Sequence, residues 1–238
     1  MRALRCAPVP SAPTIYGGGV ADVSAGPSPA TLPARARIVI IGGGVGGASV
    51  AHHLAERGER DVLLVERAEL TSGSTFHSAG LVGQLRADPA LTRMNAWSAA
   101  LYRRLEEAGG DGAPGWVESG SLRLASSPLR LEEIRRQAAW ARRAGLPLEL
   151  VSAKEAADLF PLLSTDGVLG AAYTPTDGQV DPARLCYALA ASARAGGVTI
   201  AQRTRVTAIT THEGRLTGVR SHAAHIRFFH CTDTVSGT

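Results

Sequence analysis

The sequence predicts an α/β fold built on a compact, Rossmann-like βαβ unit, with an α+β region following it. Three observations carry that expectation. A β-branched run, Arg37-Ile-Val-Ile-Ile41, enters a glycine-rich turn, Gly42-Gly-Gly-Val-Gly-Gly47. A helical stretch then leads to a second apolar run, Asp61-Val-Leu-Leu-Val-Glu66, which closes on an acid. The segments that follow alternate between helix and strand patterns, as a mixed fold requires.

The first strand, Arg37–Ile41, reads as buried because it lacks polar alternation. The helix from Ala48 to Arg57 sets Val50, Leu54 and its small residues on one face, and Gly58 stops it. Asp61–Glu66 is the parallel partner strand, with a right-handed crossover expected. A polar, glycine-bearing loop covers Arg67 to Gly83. Asp88-Pro89 opens a helix to about Glu107, with Leu91, Met94, Trp97, Leu101 and Leu105 as its core stripe. Ser121–Ala125 alternates as a strand, Pro128–Gly145 is an Arg-rich helix, and Ser152 caps a short helix ending before Pro161. Val168–Tyr173 is a strand, Asp181-Pro182 opens a helix to about Gly196, and Val198–Ala201 is another strand. Thr204–Thr210 and Arg215–Arg220 flank a His-Glu-Gly turn, a hairpin signal.

Composition bounds the function classes. The chain has 238 residues, 45% hydrophobic and 19% charged, enough for one domain or two small ones. Its net charge of +4 comes from Arg scattered along the chain, which reads as a solvated surface. No RRM, KH or zinc-finger pattern is present, so no nucleic-acid partner is expected. No apolar run approaches the ~20 residues that span a bilayer, so no membrane partner is expected either. The first 30 residues lack the apolar core of a secretory signal. Cys6, Cys186 and Cys231 fit neither a zinc site nor a CxxC motif. The expected compartment is cytoplasmic, or the mitochondrial matrix in a eukaryotic cell.

The chemistry lies in Gly42-x-Gly44-x-x-Gly47. Gly42 allows the tight turn, Gly44 lets the backbone approach a pyrophosphate, and Gly47 lets the helix pack close to the strand. The N–H groups of Val45, Gly46 and their neighbours at the helix start, with the helix dipole, suit a phosphate. Glu66 follows 19 residues after Gly47 and can accept two hydrogen bonds from an adenosine ribose. That acid disfavours the 2′-phosphate of NADP, but the motif by itself leaves FAD and NAD open. His52 and His53, inside the first helix, read as packing residues. His222, His225, His230 and Cys231 are too irregularly spaced for a metal site, and none is expected.

The next segment narrows the choice. Leu70-Thr-Ser-Gly-Ser-Thr-Phe-His-Ser-Ala-Gly-Leu-Val-Gly-Gln-Leu-Arg86 resembles a stretch of the D-amino-acid-oxidase-like FAD family, in the branch holding sarcosine and dimethylglycine dehydrogenases. Gly120–Ala125, Asp158–Leu163 and Asp177–Pro182 look like further parts of that family, and the resemblance extends from about Arg37 to Gly218. It implies FAD as cofactor, and a fold in which a Rossmann-like FAD/NAD(P)-binding βαβ domain is interleaved with an α+β substrate domain. It implies that Arg67, Leu70, Thr71, Ser72, Gly73, Ser74, Thr75, Phe76, His77 and Ser78, continuing to Gly80 and Leu81, wrap the pyrophosphate and flavin. It implies that Val206 meets the adenine through its backbone, and that His77 is bonded covalently to the flavin. Tyr173 is a candidate for the amine pocket. The implied activity is hydride removal from the carbon beside the nitrogen of an N-methylated or secondary amino acid. The electron acceptor would be oxygen or an electron-transfer protein. A catalytically inactive relative acting as a regulatory or binding subunit is the alternative.

The expected organisation is a disordered leader over 1–34, the FAD-binding βαβ unit and flavin loop over 35–86, and part of a substrate domain with a helical insertion over 87–175. A return to the FAD domain over 176–220 and a tail over 221–238 complete it. The tail looks unlike the family, so the fold is expected to be truncated at its C-terminus. Ile226, Phe228 and Phe229 are its candidates for strand pairing.

Overall fold

The computed structural model describes residues 32–109, 113–143 and 145–228. Residues 1–31 of the leader, Cys6 among them, and Phe229, His230 and Cys231 lie outside these residues.

β1 (Arg35–Ala36) precedes β2 (Ile38–Ile41), α1 (Val45–Glu56) and β3 (Val62–Val65). β2 and β3 are parallel, in register from Ile38 beside Val62 to Ile41 beside Val65, which completes the expected βαβ unit. The short strand β4 (Leu81–Val82) precedes α2 (Pro89–Glu107), β5 (Ser121–Ala125), α3 (Pro128–Arg143) and β6 (Glu149–Val151). α4 (Ala153–Leu159), β7 (Gly170–Thr174), β8 (Gly178–Gln179), α5 (Pro182–Ala195) and β9 (Thr199–Ala201) follow. The hairpin β10 (Val206–His212) and β11 (Arg215–Ser221) leads to β12 (His225–Phe228).

Four sheets result, with orders β2-β3-β9, β1-β12-β11-β10, β5-β7-β6 and β4-β8. The first is parallel, with β3 in the middle. Alternation along β3 divides its neighbours. Val62 and Leu64 join the core under α1 and α5, whereas Leu63 and Val65 join Ala36, Val219 and Ile226. The parallel sheet is therefore the centre of a helix–sheet–sheet stack. α1 and α5 meet through Ala48, Ala51, Ala190 and Ala193, all fully buried, so their backbones approach closely. A third core packs α3 onto the antiparallel sheet β5-β7-β6.

Helix starts follow the cap chemistry. Asp88 and Asp181 each accept from two backbone N–H groups and precede proline. Ser152 and Glu155 form a reciprocal capping box on α4. The hairpin turns on Glu213 and Gly214, both at positive φ, and His212 belongs to β10 rather than to the turn.

Several expectations are corrected. β2 is only partly buried, because it borders the sheet while β3 is flanked on both sides. Val50 faces outward, and the inner face of α1 consists of Ala48, Ala51 and His52. Leu91, Met94 and Trp97 are exposed, whereas Leu101 is buried as expected, joined by Thr92 and Ala99, with Leu105 partly buried against the same core. The strand expected from Val168 starts at Gly170, since the Val168 N–H turns back to the Thr165 carbonyl. The loop after Glu66 contains β4, which pairs with β8 from far along the chain. Within the described part of the tail, β12 lies between β1 and β11 and Ile226 is fully buried, so Ile226 and Phe228 pair as a strand, as expected.

Candidate dinucleotide site

The glycine turn is held from three sides. The Gly42 N–H donates to the Val65 carbonyl at 2.8 Å, and Gly42 takes φ +112°, a region that favours glycine. The Gly43 N–H donates to Glu66 Oε2 at 2.7 Å, and its carbonyl accepts from the Thr71 N–H at 3.1 Å. A Cβ on Gly47 would lie 1.9 Å from the Gly42 carbonyl oxygen, so α1 packs on β2 only with glycine there. Gly44 caps α1 without a side-chain bond, and the first turn contains no acid. α1 itself thus supplies no carboxylate to the positive end of its dipole, and the acid at that end is Glu66, on the Gly43 N–H.

Thr75 stands at that helix start. Its Oγ1 accepts from the Val45 N–H at 3.0 Å, and a Cβ on Gly44 would come within 3.0 Å of the same atom. Thr75 belongs to the expected flavin loop, but its role as a cap on α1 was not legible from spacing. A hydroxyl 30 residues away can cap a helix only through the fold.

Glu66 joins the turn to the next segments. Oε1 accepts from the Ala68 N–H at 2.8 Å while Oε2 holds Gly43. Its main chain is strapped to the region before β10, through Glu66 N–H to Ala201 O and Thr204 N–H to Glu66 O. Val206 lies two residues past that strap, half-buried at the start of β10. A carboxylate offers about four acceptor positions, so two remain after Gly43 and Ala68.

The loop divides at Thr75. Leu70 is buried, its N–H bonded to Gln202 Oε1 at 2.7 Å, and Thr71 is buried at positive φ. Arg67, Ser72, Gly73 and Ser74 are exposed. Phe76, His77 and Ser78 form an exposed turn, with Phe76 69% accessible and its ring edge-on to His77 at 5.6 Å. Gly80 is buried and its carbonyl accepts from Val180 N–H, whereas Leu81 is 78% exposed. The structure therefore gathers Gly42–Gly47, Glu66, Leu70, Thr71, Thr75 and the approach to Val206. It leaves His77 on an open rim. Tyr173 lies with its ring over Gly120, where a Cβ would come within 2.6 Å of it.

Two buried groups escaped the motif reading. Cys186 on α5 directs its thiol to the Gly43 carbonyl at 3.4 Å. Burial pushes that thiol up to about 11, with Glu66 adding to the effect, so it is an un-ionised packing group near neutral pH. Asp177 is buried and links three segments: it accepts from Gln84 N–H and Nε2, each at 2.9 Å, and from Ser121 Oγ at 2.6 Å. An isolated Asp-Gly pair gave no signal of this.

A glycine turn entering a helix N-terminus, with an acid at the end of the adjacent parallel strand, defines a dinucleotide-binding protein. The family described as FAD dependent oxidoreductase matches residues 37–235, and the chain belongs to that family. The match passes Gly218, where the resemblance was expected to end, and takes in most of the tail. Rat mitochondrial dimethylglycine dehydrogenase is 41% identical over 77% of this chain and 21% of its own length. Human mitochondrial sarcosine dehydrogenase is 38% identical over 81% of this chain and 21% of its own. The mouse mitochondrial pyruvate dehydrogenase phosphatase regulatory subunit is 37% identical over 82% and 22%. Among solved structures, L-proline dehydrogenase from P. horikoshii superposes with a TM-score of 0.78 at 30% identity, over 83% of this chain and 52% of that one. The chain thus spans about a fifth of the length of these curated relatives. Among the described residues, no helix is long and apolar enough to cross a membrane.

Proposed function

We propose that this chain forms the pyrophosphate- and adenosine-binding part of an FAD-dependent oxidoreductase acting on the C–N bond of an N-methylated or secondary amino acid. The observation that carries the proposal is the Gly42–Gly47 turn with Glu66 at its side. The cradle fits the cofactor by its own chemistry: Gly47 tolerates no Cβ, Gly44 ends in backbone alone, and α1 brings no acid to its first turn. Gly42, Gly44, Val45, Gly46 and Gly47 would hold the pyrophosphate, Glu66 the ribose, and Val206 the adenine. Leu70–Ser78, with Arg67, Gly80 and Leu81, would pass along the flavin side. Bound there, FAD supplies an electron-poor ring able to take hydride from carbon beside nitrogen.

The chain's own residues supply position and exclusion of water. Thr75 Oγ1 fixes the loop against the helix start, so the loop and the phosphate cradle move together. Leu70 and Cys186 make the floor beneath the turn apolar. Phe76 presents apolar surface beside His77, suited to an aromatic ring. His77 is the proposed covalent tether, and its ring is accessible enough to react.

The substrate reading is supported by the two dehydrogenase relatives, whose names specify dimethylglycine and sarcosine. The acceptor is then oxygen or an electron-transfer protein, and the mitochondrial relatives favour the matrix. The second reading, a regulatory subunit, is supported by the phosphatase regulatory relative, which is nearly as similar. One preparation tests both. Purified protein saturated with FAD is expected to show a flavin spectrum that bleaches under anaerobic sarcosine or dimethylglycine. A bound flavin that neither amine bleaches would favour the regulatory reading, and no flavin retention would overturn the site. Ultraviolet fluorescence of the denatured band in acid tests the His77 tether, and a dark band from yellow protein would sink it.

A further inference from the structure

Along α1, past the glycine turn, His52 on the helix's inner face converges with His53 and Glu56 beside it. The His-His-x-x-Glu spacing sets Glu56 four residues from one imidazole and three from the other, so the carboxylate can reach both. Sequence reading assigned both histidines to packing. The structure shows more than packing.

His52 is only 3% exposed. Its Nδ1 is 2.9 Å from Ser192 Oγ on α5, and its Nε2 has no hydrogen-bond partner. Glu56 Oε1 lies 3.5 Å from that Nε2, within ion-pair range but without hydrogen-bond geometry. His53 Nδ1 meets Glu56 Oε2 at 2.9 Å, and its Nε2 is also buried without a partner. A buried imidazole nitrogen left unpaired costs stability unless something else uses it. One ligand atom from each of the three residues lies within 4.8 Å of the others.

We propose that His52, His53 and Glu56 form a site for a divalent transition metal of the Zn2+ or Co2+ class, with a fourth position open to water. The geometry suits that class. Metal–ligand bonds of about 2.0–2.1 Å at tetrahedral angles place neighbouring ligand atoms roughly 3.4 Å apart. The observed 3.5 Å from His52 Nε2 to Glu56 Oε1 matches. Ser192 supplies the outer hydrogen bond: with Nδ1–H donated to its Oγ, His52 presents the Nε2 lone pair. A cavity of about 520 Å³ borders the cluster, lined by Val50, His53, Glu56 and Trp97 among others, and leaves room for the fourth ligand. His53 is held by its neighbours, its ring 4.7 Å from that of His52 and 4.9 Å from that of Trp97.

Two imidazoles and a single carboxylate select against Ca2+ and Mg2+, which require several oxygens.

The test uses tag-free, metal-stripped protein of the full 238 residues, titrated with CoCl2. One equivalent is expected to produce visible d–d absorption that ZnCl2 erases, and ZnCl2 is expected to raise the melting temperature. His53→Gln and Glu56→Gln alter side chains that reach the surface, so they spare the His52–Ser192 contact and should fold. Each is expected to weaken Co2+ binding at least tenfold and to abolish the Zn2+ effect on melting. His77→Ala should leave both unchanged. Absence of saturable Co2+ absorption in the parent protein, or equal affinity in Glu56→Gln, overturns the proposal. Flavin binding plays no part in either readout, so failure of the FAD reading would leave this result intact.

Discussion

The glycine turn and the Phe76–Leu81 rim are parts of one proposed site, yet they are built differently. In the turn, Gly42 and Gly43 are bonded to the strand and loop around them, and Leu70, Cys186 and Leu64 fill the space beneath. On the rim, Phe76, His77 and Ser78 stand exposed, held mainly by local turn bonds such as His77 N–H to Ser74 O, and exposed Leu81 is tied in through the β4–β8 pairing. The phosphate-and-ribose part is specified by the chain's own packing. The flavin part gains its contacts only when something covers it. Substitutions in the turn should therefore act on folding, and those on the rim should act on the ligand alone.

Gly47→Ala makes the sharpest break. Its Cβ would meet the Gly42 carbonyl oxygen at 1.9 Å, a backbone atom that cannot swing away. The expected loss is about 3 kcal/mol or more, as for severe overpacking. Urea or thermal unfolding measures it. A variant as stable as the parent would show that α1 does not pack on β2 as described.

Glu66→Gln should follow. The amide cannot accept from both Gly43 N–H and Ala68 N–H, so one buried donor meets an NH2 group. A stability loss of about 1–3 kcal/mol is expected, with FAD affinity at least tenfold weaker by calorimetry. Unchanged stability with weakened binding would move Glu66 from the fold to the ligand, and so blur the distinction between turn and rim.

Much of this arrangement could be read in advance, and the reason is locality. Asp88-Pro89, Asp181-Pro182 and Ser152 with Glu155 act within four residues, so cap chemistry located their helices. The strand–turn–helix–strand–acid order placed the cradle, because each part constrains its neighbour. What failed was non-local. Periodicity marks an apolar stripe on α2 but not what covers it, and Leu91, Met94 and Trp97 face outward. On α1 the close approach of α5 selects alanine, so Val50 lost its expected place. β4 needed β8, Thr75 needed α1, and the order in β12 needed β1 and β11. None of these partners is near in sequence.

Thr75→Val keeps the shape and removes the acceptor for the Val45 N–H. The cost should be about 1 kcal/mol, typical of a lost cap, and Thr75→Ser should restore most of it. If FAD phosphate replaces this contact, the difference between the variants should shrink in saturating FAD. A constant difference would mean that Thr75 remains on the helix start when the cofactor is present.

His77→Ala should have the smallest effect on folding and the clearest effect on the flavin. The side chain is exposed and its one ring contact is with exposed Phe76, so stability should change by less than about 0.5 kcal/mol. Covalent fluorescence should vanish from the denatured band, while native protein still retains FAD through the glycine turn and Glu66. If flavin is lost altogether, the tether contributes to retention and the turn is not self-sufficient. If fluorescence persists, another side chain carries the link. Only the combination of unchanged stability, retained FAD and a dark band supports a rim that acts on the ligand without supporting the fold.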